Sequence, residues 1–183
     1  MTQGKKQLRQ AGWDGIQPAI VVLGATQRLH LLGHSSPGAQ WPRKKKRHWP
    51  ISTGKAGFGT IQNSGCTPTG LHRICDLIGD QAPLGMIFKG RQPTGAIVAD
   101  STDPNEDFIT TRILWLEGLE EGFNRGPGVD TRERFIYIHG TPHISRLGTP
   151  VSAGCIRMKP SHVIQLFQCV QPGTLVLILP PTP

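Results

Sequence analysis

The sequence lacks any apolar run long enough to cross a bilayer as a helix. No apolar segment follows the basic residues within 1–10, so no signal peptide is predicted. Charged residues make up 17% of the chain and apolar residues 37%, a balance typical of a folded globular protein. The 183 residues suffice for one domain with a sizeable core. We expect a polar, weakly ordered arm over 1–15 and a single domain over 16–180.

Metal-binding and redox motifs are also missing. The four cysteines, Cys66, Cys75, Cys155 and Cys169, form no Cys-x-x-Cys pair, and the His-x-x-x-His pairs have no carboxylates nearby. We therefore expect no metal ion and no cofactor. A chain of this length does not need disulfides for stability, so free thiols are predicted. A Cys66–Cys75 disulfide in an oxidising compartment is the alternative.

Acidic residues are scarce, because 12 Asp and Glu face 20 Lys and Arg, for a formal net charge of +8. Much of the excess comes from the basic run 43–47, whose flanking Trp-Pro dipeptides indicate an exposed loop. A solvated loop is the favoured interpretation, and binding of an anionic envelope polymer is the first alternative. Nucleic acid is the second, but no helix-turn-helix, RRM or zinc-finger pattern supports it, so no nucleic-acid partner is predicted.

Turn-forming residues, by contrast, are abundant. The 23 glycines and 16 prolines, without a collagen-like period, indicate many turns between short strands and hence a mainly β protein. An apolar run at 20–23, a turn at 24–26 and a partly alternating segment at 27–32 predict a hairpin. One helix is predicted to start at Pro160-Ser161, with Ser161 as its N-cap and an apolar stripe facing the core. Further strands are predicted at 71–78, 108–116 and 174–179.

One histidine and one cysteine have the neighbours that a nucleophilic thiol requires. The run 135–139 is typical of a strand on which Tyr137 and His139 share a face. Cys155 follows His139 by 16 positions, directly after the small residues 152–154. A thiol, a base, nearby positive charge and exposed backbone N–H groups are what cysteine catalysis needs.

This composition predicts a catalytic pair. His139 would act as the base, and its imidazolium together with Arg157 would lower the thiol pKa of Cys155 from about 8.5 towards about 7. The backbone N–H groups of Gly154 and Cys155 would form an oxyanion hole. Because carboxylates are scarce in this stretch, a backbone carbonyl such as that of Gly140 would orient the ring of His139. The alternative is a buried thiol and a loop histidine that never meet.

These segments resemble the signature of a known family. Ile138-His139-Gly140-Thr141 and Ser152-Ala153-Gly154-Cys155-Ile156-Arg157-Met158 resemble the L,D-transpeptidase catalytic domain (YkuD-like, ErfK/YbiS-type), and weaker likeness extends over roughly 16–179. The family often has histidine where this chain has Ala153, a departure expected to alter donor binding without abolishing activity.

The resemblance implies a mainly β, β-sandwich-type domain with a catalytic cleft and one or two short helices. It implies that Cys155 attacks the carbonyl between the third residue, a diamino acid, and the fourth, D-Ala, of a peptidoglycan tetrapeptide stem. An amine acceptor would then resolve the thioester, giving a 3–3 cross-link or attachment to the wall. His139 would be base and acid, and Gly154 an oxyanion donor. Arg157, Ser152 and Tyr137 are expected to contact substrate.

Alternatives to this function stay open at the level of sequence. Water could resolve the same thioester, which would make the protein an L,D-carboxypeptidase, or the domain could bind peptidoglycan without catalysis. A monomer in the cell envelope or periplasm is expected from the resemblance. The cytoplasm stays an alternative, because no signal peptide is recognised.

Overall fold

The computed structural model describes residues 2–33, 47–101, 103 and 107–182. Most of the predicted basic loop, residues 43–46, therefore lies outside the described residues. Within them the chain forms ten strands and two α-helices. They are, in chain order, α1 (Thr2–Gln10), β1 (Ala19–Leu23), β2 (Arg28–Leu32), β3 (His48–Ser52), β4 (Gly70–Ile78), β5 (Met86–Lys89), β6 (Gln92–Ile97), β7 (Ile109–Gly118), β8 (Tyr137–Gly140), β9 (Ile156–Met158), α2 (Pro160–Phe167) and β10 (Leu175–Leu179).

One sheet contains all ten of these strands, and it closes on itself. The order of neighbours is β4-β10-β1-β2-β3-β9-β8-β7-β5-β6, and β4 also pairs with β7. The eight strands from β4 to β7 in this order thus form a barrel, which leaves no unpaired edge among them. The β5–β6 hairpin extends from the barrel beyond β7. A mainly β domain with one or two short helices, as predicted, is confirmed.

Strand alternation sorts the apolar residues into an inner and an outer set. The inner cluster draws on most barrel strands and includes the fully buried Ile20, Leu114 and Ile138. Helix α2 contributes Val163 and Leu166 to the same cluster and so covers part of the barrel interior. Burying one such side chain contributes roughly 1.5–3 kcal/mol, so this cluster is the main source of stability.

The first turn of α2 differs from the prediction. Pro160 occupies the first helical position and Lys159 is the N-cap, without a side-chain hydrogen bond, so the prediction of Ser161 as N-cap is wrong. Proline suits this position because its fixed φ is helical and its missing N–H has no partner there in any helix. The predicted hairpin, by contrast, is confirmed as the antiparallel pair β1–β2.

The start of the chain also differs from the prediction. Residues 2–10 form helix α1, where the sequence predicted a polar, weakly ordered arm. Leu8 of α1 and Trp13 are buried against Val21 and Leu177 on the outer side of β1 and β10. A short polar helix is marginally stable by itself, so the burial of Leu8 and Trp13 stabilises α1. The helix was not predicted because a single leucine gives too little apolar periodicity to indicate one.

A second outer cluster lies on β5, β7 and β8. It contains Met86, Phe88, Ile113 and Tyr137, and Cys155 packs against it. The thiol singled out from the sequence therefore lies on the outside of the barrel, beside the β5–β6 hairpin. No helix within the described ranges is long and apolar enough to cross a bilayer.

Candidate active site

Cys155 and His139 lie on the same outer face of two neighbouring strands. β8 and β9 run parallel, with Ile138 opposite Ile156 and His139 opposite Arg157. The two isoleucines belong to the inner cluster. Because side chains alternate along a strand, His139 and Arg157 face outward, and so does Cys155, which directly precedes β9. The sheet therefore brings to one face two residues that the sequence separates by a loop.

The Cys155 thiol is held against the backbone that leads into β8. Tyr137 N–H donates a hydrogen bond to Sγ over 3.4 Å, and the thiol donates to the carbonyl of Phe135 over 3.5 Å. Cys155 nevertheless keeps intermediate exposure. The thiol thus has a defined direction, in a residue that is partly exposed. The other three cysteines are free thiols as well, as predicted.

The ring of His139 is buried and oriented by its own strand. Only 2% of the residue is exposed, and Nδ1 lies 2.8 Å from the carbonyl oxygen of Gly140. A carbonyl only accepts, so Nδ1 carries the proton and donates it. Nε2 is then the ring nitrogen with the lone pair, which is the tautomer that a base requires.

Burial sets the protonation state of both groups. Loss of solvation raises the pKa of the Cys155 thiol to about 11, although the N–H of Tyr137 and the charge of Arg157 act in the opposite direction. Burial lowers the pKa of His139 to about 4, against the effect of its hydrogen bond to Gly140. At neutral pH the pair is a thiol and a neutral imidazole. The sequence predicted a lowered thiol pKa for Cys155, and this prediction is wrong for the present structure, because desolvation outweighs the nearby charges.

The turn before Cys155 is closed by the side chain of Ser152. Ser152 is 4% exposed, and its Oγ donates to the carbonyl of Cys155 at 2.6 Å. Gly154 N–H donates to the same Oγ at 3.1 Å, so the predicted oxyanion donor at Gly154 has an internal acceptor. For the N–H of Cys155 there is no acceptor in the part of the chain that the structure describes. Cys155 N–H is thus available to a substrate oxygen.

Gly154 is the position where this turn tolerates no side chain. Its φ is +123°, and a Cβ built on it would lie 3.0 Å from the carbonyl oxygen of Cys66. We expect Gly154→Ala to lower the free energy of unfolding by roughly 1–3 kcal/mol, the usual range for such local strain. Acylation of Cys155 should slow as well, since the turn that positions it must shift. Denaturant unfolding and the acylation rate measure the two effects.

Gly148 offers a matched control. Its φ is +98°, but a Cβ there would meet nothing within 4 Å. Gly148→Ala therefore carries the backbone strain without the steric contact, and it should cost less stability and leave acylation close to wild type. Equal losses in the two variants would contradict the role assigned to the contact between Gly154 and Cys66.

Arg157 is closed off from substrate in this structure. It is 4% exposed, and Nη2 forms an ion pair with Asp107 at 2.5 Å. The expected contact with a substrate carboxylate would require Arg157 to break or share this ion pair. The charge of Arg157 acts to lower the thiol pKa of Cys155, and the charge of Asp107 acts to raise it. Sequence reasoning missed Asp107, which lies 50 positions from Arg157 in a polar segment without any motif.

Arg134 is a second residue that sequence reasoning missed. Nη1 donates to the carbonyls of residues 59 and 60 at 3.2 and 2.8 Å, and Nη2 donates to that of Cys66 at 2.6 Å. The Cys66 carbonyl is the group that lies beside Gly154. Arg134 therefore holds this loop against the turn, and its charge also acts to lower the thiol pKa of Cys155. An arginine among several in 125–134 has no distinguishing signal in the sequence.

Tyr137 contacts the Cys155 thiol through its backbone N–H and not through its side chain. The residue is 5% exposed, its N–H contacts Sγ of Cys155, and its ring packs in the outer cluster. Direct contact with substrate, as predicted, is open only to its hydroxyl, which accepts a hydrogen bond from Arg91 at 3.2 Å. Within the described ranges, no three His, Cys, Asp or Glu side chains come close enough together to bind a metal ion.

Fold and site together define a β-barrel domain that presents a cysteine and an oriented histidine on adjacent parallel strands. The sequence profile of the L,D-transpeptidase catalytic domain (YkuD) matches residues 18–178. The chain belongs to this family, and the resemblance found in its sequence is confirmed. The family acts on peptidoglycan stem peptides and is typically extracytoplasmic.

Individual relatives match less of the chain or match it weakly. The putative L,D-transpeptidase YqjB of Bacillus subtilis (strain 168) is 48% identical over 48 residues, which are 26% of this chain and 27% of that protein. L,D-transpeptidase 3 of Mycobacterium tuberculosis, solved with a faropenem-derived adduct, is 16% identical and covers 88% of this chain and 60% of that one, with a TM-score of 0.48. An Enterococcus faecium L,D-transpeptidase is 17% identical and covers 89% of this chain and 50% of that one, with a TM-score of 0.49. The chain thus spans 60% or less of the length of these relatives.

Proposed function

We propose that this chain is a cysteine-dependent L,D-transpeptidase that acts on peptidoglycan tetrapeptide stems through a thioester at Cys155. The observation that carries the proposal is the shared outer face of Cys155 and His139, with the ring of His139 held by the Gly140 carbonyl. A partly exposed cysteine and a base in the required tautomer are what nucleophilic catalysis needs.

Acylation follows from the protonation states. Nε2 of His139 accepts the thiol proton as Sγ attacks the carbonyl carbon between the third residue and the D-Ala of the donor stem. The N–H of Cys155 donates to the oxyanion that forms, and Gly154 N–H can join it when Ser152 Oγ turns away. The C–N bond then breaks, His139 returns the proton to the leaving amine, D-Ala departs, and the acyl group remains on Sγ.

Deacylation runs through the same groups in reverse. The side-chain amine of a second stem attacks the thioester carbonyl and loses a proton to Nε2 of His139. The C–S bond breaks, the thiolate of Cys155 takes the proton back, and the two stems are joined through an amide. Raising the thiol pKa makes the neutral thiol the stable resting form, so the base is needed in every cycle.

Incubation of the purified protein with tetrapeptide muropeptides tests the proposal. We expect cross-linked dimers together with free D-Ala, identified by mass spectrometry, and neither product with Cys155→Ala. Free D-Ala with tripeptide but no dimer would identify hydrolysis, the L,D-carboxypeptidase alternative, because water then reaches the thioester first. No release of D-Ala by the wild-type protein would contradict both enzymatic functions.

A peptidoglycan-binding module without catalysis makes a different prediction. It would sediment with isolated sacculi through the basic residues 43–47, lose this binding as salt is raised, and bind equally well as Cys155→Ala. Four of these five residues lie outside the described ranges, so the proposed function rests on the cysteine site alone.

A further inference from the structure

One arginine near the thiol has no acidic partner. Within the described ranges the ion pairs are Arg73–Glu117, Arg125–Glu121 and Arg157–Asp107, so Arg91 takes part in none of them. Arg157 is neutralised by its aspartate, and the guanidinium of Arg134 is used by three carbonyls. Arg91, which lies beside Tyr137, therefore has a guanidinium without a direct ion pair among the described residues.

Neutral groups hold Arg91 in a fixed position. Together with Gly90 the residue forms the turn of the β5–β6 hairpin, and it is half-buried. Its Nη1 donates to the hydroxyl of Tyr137 at 3.2 Å, and its guanidinium lies 4.6 Å from the ring centre of Trp115 and 5.2 Å from that of Phe135. Aromatic faces attract a cation without cancelling its charge, and the planar guanidinium keeps its other N–H groups for a ligand.

Tyr137 joins Arg91 to the thiol. The backbone N–H of Tyr137 lies 3.4 Å from Sγ of Cys155, and its hydroxyl lies 3.2 Å from Arg91. The distance from the nucleophile to the charge is thus set by the length of one tyrosine side chain. Sγ attacks the carbonyl of the donor's third residue. A long aliphatic side chain on that residue could span about the same distance and reach the guanidinium of Arg91.

A cavity of about 630 Å³ opens beside Arg91. Met86 and Phe88 line it and belong to the outer cluster against which Cys155 packs. Arg91, Asp76 and Asp80 are also among its lining residues. A lining that combines apolar side chains with charged groups of both signs is complementary to an aliphatic chain that ends in a carboxylate and an ammonium group.

We propose that Arg91 is a specificity-determining residue that binds the free side-chain carboxylate of the donor's third residue, and so selects a diaminopimelate-type stem over a lysine-type stem. The inference rests on the proposed function, because it names the donor of that reaction. Lysine ends in an ammonium group alone and would leave Arg91 without a partner. An amidated diaminopimelate side chain keeps the shape but loses the charge, so it isolates the contribution of the carboxylate.

The carboxylate of the leaving D-Ala fits this position less well. It lies next to the bond that is broken and therefore close to Sγ, whereas Arg91 lies at the far end of Tyr137. The carboxylates of Asp76 and Asp80 on the cavity wall also have no counterpart in D-alanine, whose amine is part of the scissile bond. The side chain of the third residue carries a carboxylate far from the scissile bond and a free ammonium group, so it can pair with Arg91 and with the aspartates.

The test compares three donor stems that differ only in the third residue: diaminopimelate with a free side-chain carboxylate, the same residue amidated, and lysine. We measure kcat/KM for release of D-Ala by the wild-type protein, Arg91→Gln and Arg91→Lys. Wild type should prefer the free carboxylate over the amide about tenfold or more, the usual effect of a charge-assisted hydrogen bond. The preference should fall to near one in Arg91→Gln and be partly kept in Arg91→Lys.

Arg125→Gln is the matched control, because it removes an arginine from an exposed ion pair on another loop. It should keep the full preference, and thermal unfolding should show that Arg91→Gln is folded. Equal rates of the wild type on all three stems would overturn the role of Arg91 and leave the transpeptidase intact. A preference that survives in Arg91→Gln would overturn it too. If the wild type released D-Ala from none of the stems, the proposed function itself would fail.

Discussion

Replacing Cys155 with alanine is expected to abolish acylation of the protein. A carbapenem, which the family resemblance makes a suitable acylating probe, should add one equivalent to the wild-type chain in intact-mass spectra and none to Cys155→Ala. Release of D-Ala from tetrapeptides should fall by about 10⁴-fold or more, since removal of a nucleophile leaves only binding and oxyanion stabilisation. The reason is structural, because no other cysteine occupies the outer face beside His139.

Cys75→Ala serves as the matched control. Cys75 is also half-buried, and its thiol donates to the carbonyl of Trp115, one strand away from the site. This variant should keep both the adduct and the turnover. Because Cys155→Ala removes a single atom at a half-exposed position, denaturant unfolding should show a folded protein. An adduct that maps to Cys66 or Cys75 in the wild type would contradict the assignment of the nucleophile.

Replacing His139 with alanine is expected to change how acylation depends on pH. Above its pKa of about 4 the imidazole is neutral and accepts a proton, so the wild-type rate should be nearly constant from about pH 6 to 9. Without this base only the thiolate reacts, and the thiol pKa is about 11. The rate of His139→Ala should therefore rise about tenfold per pH unit over this range. At pH 7 it should lie roughly 10²–10⁴-fold below wild type.

The pH dependence of the acylation rate in His139→Ala distinguishes a histidine that acts as a base from one with a merely structural role. A histidine that only filled space would, when removed, lower the rate equally at every pH. His30→Gln, a half-buried histidine on β2, provides the control and should keep the flat profile. Stopped-flow or mass-spectrometric acylation rates between pH 6 and 9 measure it. A flat profile in His139→Ala would contradict the role of His139 as the base.

The strands beside the site were predictable because their patterns are local. Alternation in 135–139 placed Tyr137 and His139 on one face, and the structure has both on the outside of the barrel while Ile138 lies inside. The hairpin β1–β2 followed from an apolar run and a partly alternating segment on either side of a turn. Such patterns depend on residues a few positions apart, which the sequence displays directly.

The electrostatics of the site were not predictable in the same way. Arg157 stands two positions from Cys155, so the sequence indicated a positive charge that would lower the thiol pKa. In the structure Asp107 compensates that charge, and burial moves the pKa in the opposite direction. Both effects depend on groups far away along the chain and on how much water folding removes.

The oxyanion group shows a similar limit. The small residues 152–154 correctly indicated a tight turn, which requires glycine at 154 because of its positive φ. Which N–H remains available, however, depends on the rotamer of Ser152, whose hydroxyl accepts from Gly154 and donates to the carbonyl of Cys155. A side-chain rotamer is chosen by packing and is invisible in a residue pattern.

By itself the sequence determined the mainly β class, the nucleophile and base candidates, and membership of the L,D-transpeptidase catalytic domain family, because each depends on short motifs and local periodicity. Only the tertiary structure decided that Asp107 neutralises Arg157, that Arg134 ties a distant loop to the turn, and that Arg91 reaches the thiol's surroundings with its charge unpaired. Closure of the barrel and the position of the β5–β6 hairpin create these contacts, and both result from pairing between strands that are remote in the chain.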